Sequence, residues 1–229
     1  MTTPPARRIL ALLIAACCVT VLAGCASVDG ALGAYFAADP LTTHPLSGAT
    51  SSPAVAPTSP GGIRVVRTPG VVVDDMHLAA AACHARVRDA AAGLVLPDAA
   101  CTPGGIDPAV TQANIHQTIC ATGYTKTVRP PVRQTDAPKH RLLVAYGQAY
   151  ERSTEEDHLI SLGLGGSSST SNLWVEPNRP GATSTRNPKD DVEDVLHQAV
   201  CSGRVTLEAA QHAMATDWTT AERSVGLTP

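Results

Sequence analysis

Apolar positions fall into three kinds of pattern along the chain. Ile9 to Ala23 is an unbroken run of apolar and small residues with Thr20 its one hydroxyl. In the last third, Val192, Val195, Leu196, Ala199 and Val200 recur at i, i+3, i+4, i+7 and i+8, the period of an amphipathic helix. Gly203 stops that helix, and a last one from a Thr206 cap to about Arg223 carries Leu207, Ala210, Met214 and Trp218 along one side. Between these, Glu155 to Ile160 reads as a strand or turn and Asn172 to Val175 as a second strand. Gly163, Gly165 and Gly166 form a bend between them, followed by a polar Ser167–Ser171 loop. Upstream the pattern is weaker. It predicts a helix from an Asp74 or Asp75 cap to about Ala92, ended by Gly93, then a loop over 94–106. A short helix follows from Asp107-Pro108 to about Cys120, then an extended 121–131 and a helix over about 137–150 interrupted by Gly147. Residues 26–73 are dominated by Ala, Thr, Ser, Pro and Gly, which cannot bury enough apolar surface to fold, so they read as a disordered tether.

The first apolar run follows Arg7-Arg8, the charge-then-core layout of a secretory signal, and is shorter than the roughly 20 residues a bilayer span needs. It ends in Val21-Leu22-Ala23-Gly24-Cys25, which resembles the lipobox of bacterial lipoproteins. That resemblance implies cleavage after residue 24, lipid on Cys25, and a mature chain anchored to the extracytoplasmic face of the cell membrane with no transmembrane helix of its own. The organisation it implies is a signal peptide over 1–24, a lipidated cysteine and tether over 25–73, and a folded domain over 74–229 with its motif core at 151–203.

Charge and composition narrow the function. The formal net charge is −3, and cleavage removes two arginines and no acid, which argues against a generally basic nucleic-acid binder while leaving room for a local basic patch. Lys126, Arg129, Arg133, Lys139, Arg141 and Arg152 make such a patch, which with Lys189 could line a phosphate-tracking groove. One Phe and two Trp exclude a large aromatic core.

The segment Asp157-His158-Leu159-Ile160, the Gly165-Gly166 bend, Asn172-Leu173 and the following helix resemble the HNH, or His-metal-finger, endonucleases. Ile119-Cys120-Ala121-Thr122-Gly123, Asn187-Pro188-Lys189-Asp190 and Val200-Cys201-Ser202-Gly203 resemble a group of small exported bacterial proteins of that type. The likeness covers roughly 95–220. It implies an α+β, mainly α fold with a ββα-metal finger packed among several helices, and a nuclease cutting DNA or RNA outside the cytoplasm. In it His158 is the general base, Asn172 ties the loop and orients His158, and Lys189 contacts phosphate. One divalent ion (Mg, Mn or Zn) would stabilise the developing charge, with Asp157 its first oxygen ligand. The third ligand position departs from the family: no His follows Asn172 by about nine residues, so Asn187 and Glu193 are the replacements, the latter beside His197 at i+4. Ser161 also stands where the motif commonly has Pro. The alternative is a catalytically silent envelope lipoprotein that uses the same scaffold to bind a wall polymer or protein.

Beyond the signal and Cys25, four cysteines remain: Cys83, Cys101, Cys120 and Cys201. An even number in an exported chain reads as two disulfides with three possible pairings. Cys83–Cys101 with Cys120–Cys201 is favoured because the second pair brackets the segments that carry the resemblance. A four-Cys zinc site is the alternative, but no close Cys-x-x-Cys pair supports it.

Overall fold

Among the described residues, three short two-stranded sheets and five α-helices make an α+β architecture. The structure, a computed structural model, describes residues 62–149, 151 and 154–227. The signal segment, Cys25, the tether as far as Gly61, and Arg152 lie outside the described residues. In chain order the elements are β1 (Arg64–Val65), β2 (Arg86–Asp89), β3 (Leu94–Leu96), β4 (Gly105–Ile106), α1 (Tyr124–Val128), α2 (Asp136–Ala145), β5 (Glu155–His158), β6 (Leu173–Glu176), α3 (Pro188–Cys201), α4 (Leu207–Asp217) and α5 (Ala221–Ser224). No described helix is long and apolar enough to cross a membrane.

Residues 62–73, expected to belong to the tether, are part of the folded domain. Ile63, Val66 and Thr68 are buried. β1 pairs in parallel with β4, and Val73 bridges Ser169. After Gly62 the chain reads Ile-Arg-Val-Val, which supplies the apolar side chains and strand-forming residues that the Pro- and Ser-rich stretch before it lacks.

The helix expected over 74–92 does not form; an antiparallel β2–β3 hairpin occupies its second half. Asp75 does not cap a helix. Its carboxylate accepts from Thr170 Oγ1 and Ser171 N and pairs with Arg64. Gly93, at φ +75°, turns the hairpin instead of ending a helix. These ties, with the Cys83–Cys101 disulfide, outweigh the weak local helix preference of the alanine run. The helix expected over 107–120 shrinks to a 3-10 turn at Gln112–Gln117. Asp107 instead accepts from Thr68 N and pairs with Arg67. Residues 124–128, expected to be extended, are helical. The expected last helix is broken at Asp217, whose backbone is extended and whose side chain accepts from Thr219 N to cap the turn that follows.

The downstream half follows its pattern closely. β5 pairs antiparallel with β6, Asp157 opposite Trp174 and His158 opposite Leu173. α3 begins at Pro188, with Asn187 as cap in a reciprocal box with Asp190, and buries Leu196, Ala199 and Val200. Trp174 and Trp218 are both core residues, and the Trp218 indole donates to Val95 O at 2.8 Å. The turn between β5 and β6 is close-packed: a Cβ added at Gly166 would sit 1.7 Å from Ile160 O, so only glycine fits. Both disulfides join the favoured pairs, Cys83–Cys101 and Cys120–Cys201. The second closes a separation of 81 residues, worth about 4.5 kcal/mol in the chain-entropy account, and fastens the C-terminus of α3 to the turn before α1.

Candidate functional site

Strand β5 alternates its side chains between two environments. Asp157 meets α3, while His158 meets the serine loop. The two residues of the Asp-His pair therefore serve different surroundings.

On the α3 side the ammonium of Lys189 is the centre. It donates to Asp157 Oδ2 at 2.5 Å, to His158 O at 2.8 Å, and to Glu193 Oε1. The Lys189 side chain is 2% exposed. Burial alone would lower its pKa, but the Asp157, Glu193 and Glu176 carboxyls outweigh that and hold it above its ordinary value. Asp157, resisted by burial but held by Lys189, titrates below its ordinary range. One ammonium cannot neutralise three acids. Burial, with Asp157 beside them, pushes Glu176 and Glu193 upward. Glu176 is the residue that motif reading missed. Both its oxygens are buried without a well-formed hydrogen bond, and its contact with Asp157 is the kind two carboxyls make around one proton. Its signal was the strand register, which sets it opposite Glu155.

Asn187, Asp157 and Glu193 were the expected metal ligands. The structure brings Asp157 and Glu193 together, on Lys189. Asn187 does not join them: its Oδ1 accepts from Lys189 N, capping α3, and its Nδ2 donates to Thr185 O in the preceding turn. The cation position between the two carboxylates holds the chain's own ammonium, so a divalent ion does not fit this donor set as arranged. Among the described residues, one group of three His, Cys, Asp or Glu donors could hold a metal ion: Cys120, His197 and Cys201, with ligand atoms within 4.8 Å of one another. Its two sulfurs are joined as a disulfide, which offers no thiolate.

On the other face, His158 Nε2 and Ser168 Oγ share a hydrogen bond of 2.9 Å. Burial lowers the His158 pKa to about 4, so the ring is neutral near pH 7. It borders a cavity of about 120 Å³ with Glu156, Ser168 and Arg129. Asn172 does not touch the ring. It is fully buried and its amide is saturated: Oδ1 accepts from Gly105 N and Ile160 N, and Nδ2 donates to Ile160 O and Ser167 O. It ties three loops together, and the ring partner is Ser168. Serine alternation explains this: Ser167, Ser169 and Ser171 hydrogen-bond one another on one side, while Ser168 points to His158 on the other.

Compared with known proteins, the chain matches no family model, no curated protein and no solved structure.

The buried acids carry a pH signature. Burial raises Glu155 and Glu156 from 4.5 to about 7. A carboxyl with a raised folded pKa binds its proton more tightly when folded, so its contribution is full below its unfolded pKa and lost as pH rises through the folded one. His158, with its pKa lowered from 6.5, acts in the opposite direction, but only below about pH 6.5. Stability should therefore fall between about pH 6.5 and about pH 8. Urea midpoints measured across that window check it, and a flat or rising midpoint would contradict the assignment.

Proposed function

We propose that the chain is an envelope-anchored binding protein built on a His-metal-finger frame. In this reading the β5–β6 hairpin and α3 are the ββα finger, Lys189 stands in for the divalent ion, and the ligand is an anionic wall polymer. The observation that carries it is the Lys189 ammonium lying between Asp157 and Glu193. A nuclease of this type needs that position for a cation able to bind phosphate. An ammonium whose donors are spent on two carboxylates and His158 O has little left to offer a phosphate. Lys126, Arg129 and Arg133 are exposed on one stretch beside the His158 cavity, and none takes part in an ion pair among the described residues. With Cys25 lipidated and a tether behind it, such a stretch would work at the membrane's outer face.

The test is co-sedimentation of the purified protein with cell walls, before and after their anionic polymer is removed. Binding should require the polymer, weaken with salt, and drop several-fold, roughly 1 kcal/mol, when Lys126, Arg129 and Arg133 become alanine. Binding indifferent to both changes would overturn the reading.

A second reading, a nuclease acting on DNA or RNA with Mg, Mn or Zn, draws on one observation: a neutral His158 bordering a cavity with Arg129. It requires an ion to displace Lys189. Plasmid nicking in Mg²⁺ or Mn²⁺ that disappears in His158→Ala would establish it in place of the binding reading. The expected result is no nicking by either protein.

A further inference from the structure

Below the Lys189 and Glu193 pair, the lower half of α3 carries two residues that neither reading uses. His197 and Cys201 continue the same four-residue interval along one side of the helix. At its end Cys201 is bonded to Cys120. His197 Nε2 lies 3.4 Å from Cys201 Sγ and 3.0 Å from Ile119 O. A cavity of about 440 Å³, bordered by Cys120, Tyr124, Glu193 and His197, opens on the same spot.

The two disulfides differ in access. Cys83 and Cys101 are buried at 2% and 5% exposure. Cys120 and Cys201 are half-buried, and Cys120 lines the cavity. Thiol–disulfide exchange needs a path for the attacking sulfur, so a reductant reaches the second pair first. His197, already in contact with Cys201 Sγ, is placed to stabilise the thiolate formed there.

We propose that the Cys120–Cys201 disulfide masks a metal site, and that its reduction opens a Cys-His-Cys centre for one thiophilic ion such as Zn²⁺. The reductant is an external dithiol. It is oxidised to its own disulfide while the Cys120–Cys201 bond takes up two electrons and two protons. A divalent ion then replaces the two thiol protons, which leave to solvent. His197, whose Nε2 hydrogen is donated to Ile119 O in the oxidised protein, changes tautomer: the Nε2 proton leaves to solvent as Nδ1 takes one up, and the freed Nε2 lone pair turns from Ile119 O to the ion. Three protein donors leave a fourth position facing the cavity, the arrangement of a zinc site with an open coordination position. The pairing of soft sulfurs with imidazole selects zinc-like ions over Mg²⁺.

The experiment uses the purified chain, Co²⁺ as a spectroscopic probe, and a phosphine as reductant. The phosphine takes up the oxygen of water as it converts the disulfide to two thiols. The reduced protein should take up one Co²⁺ per chain and show thiolate-to-cobalt charge-transfer absorption, and added Zn²⁺ should remove that signal. The oxidised protein should show none. His197→Ala should weaken Co²⁺ binding by at least about tenfold, since losing a ligand costs no less than losing that ligand's own hydrogen-bond partner. A Cys83→Ser/Cys101→Ser variant should keep the signal if it folds. Selective alkylation of Cys120 and Cys201 in the wild type, followed by peptide mapping, gives the same information if it does not. Absence of the band in reduced protein overturns the proposal. So does a band unchanged by His197→Ala, or loss of the helical circular-dichroism signal on reduction.

Discussion

Lys189→Met should lower the thermal midpoint by about 10 °C. Removing one partner of a buried ion pair leaves its counter-charge uncompensated, at about 3–5 kcal/mol. A domain of this size loses roughly 2–4 °C per kcal/mol. Here two carboxylates, Asp157 and Glu193, lose their common partner, and His158 O loses a donor as well. Methionine fits the hole and keeps the apolar stem contacts, so the loss isolates the charge. The deficit should shrink on acidification, because protonated Glu193 and Glu176 no longer need a cation. Adding Glu193→Gln to Lys189→Met should recover part of it for the same reason. Thermal unfolding at about pH 5 and about pH 8 provides the comparison. A fall under about 2 °C, or a deficit equal at both pH values, would show that Lys189 is not the electrostatic centre described.

Asn172→Ala should be of similar severity by a different route. Its amide serves four backbone groups: Gly105 N, Ile160 N, Ile160 O and Ser167 O. Each is buried, and an orphaned backbone group costs about 1–3 kcal/mol. Even with partial relaxation the total is about 4 kcal/mol, a large share of the roughly 5–15 kcal/mol that holds a typical domain. Asn172→Asp separates this from a packing effect. It keeps the shape and the acceptor but turns an oxygen toward two carbonyls, so it should be nearly as damaging at neutral pH and recover partly in acid. Denaturant midpoints for the two variants decide it. If Asn172→Asp matches the wild type, the donor half of the amide is not holding the loops.

The hairpin and α3 were legible because their signals are local. A 3.6-residue apolar period and an Asn-Pro cap need no distant partner to be read. The stretch 74–92 misled for the opposite reason. Its alanines favour a helix weakly, and what decides its course comes from far away: Thr170 and Ser171 binding Asp75, and Cys101 binding Cys83. The site was half legible. Lys189 and Glu193 stand at i and i+4, an ion pair readable from spacing. That Asp157 reaches the same ammonium, with Glu176 against Asp157, depends on the packing of β5 and β6 against α3, which no spacing encodes. Ser168 was hidden inside a run of serines, where only alternation separates the one that meets His158 from those that meet each other.

The entry of the chain into the domain sets a route for tension. If Cys25 is held at a membrane and the folded part grips a wall polymer, any stretch of the tether arrives at Gly62. It is borne first by the two-residue strand β1 against β4, then by Thr68 N on Asp107, then by Val73 N on Ser168 O. The last of these grips belongs to the residue whose hydroxyl holds the His158 ring. Force on the leash would therefore be delivered to the wall of the His158 cavity as well as to the core at Ile63, making the strap at 62–73 a mechanical input.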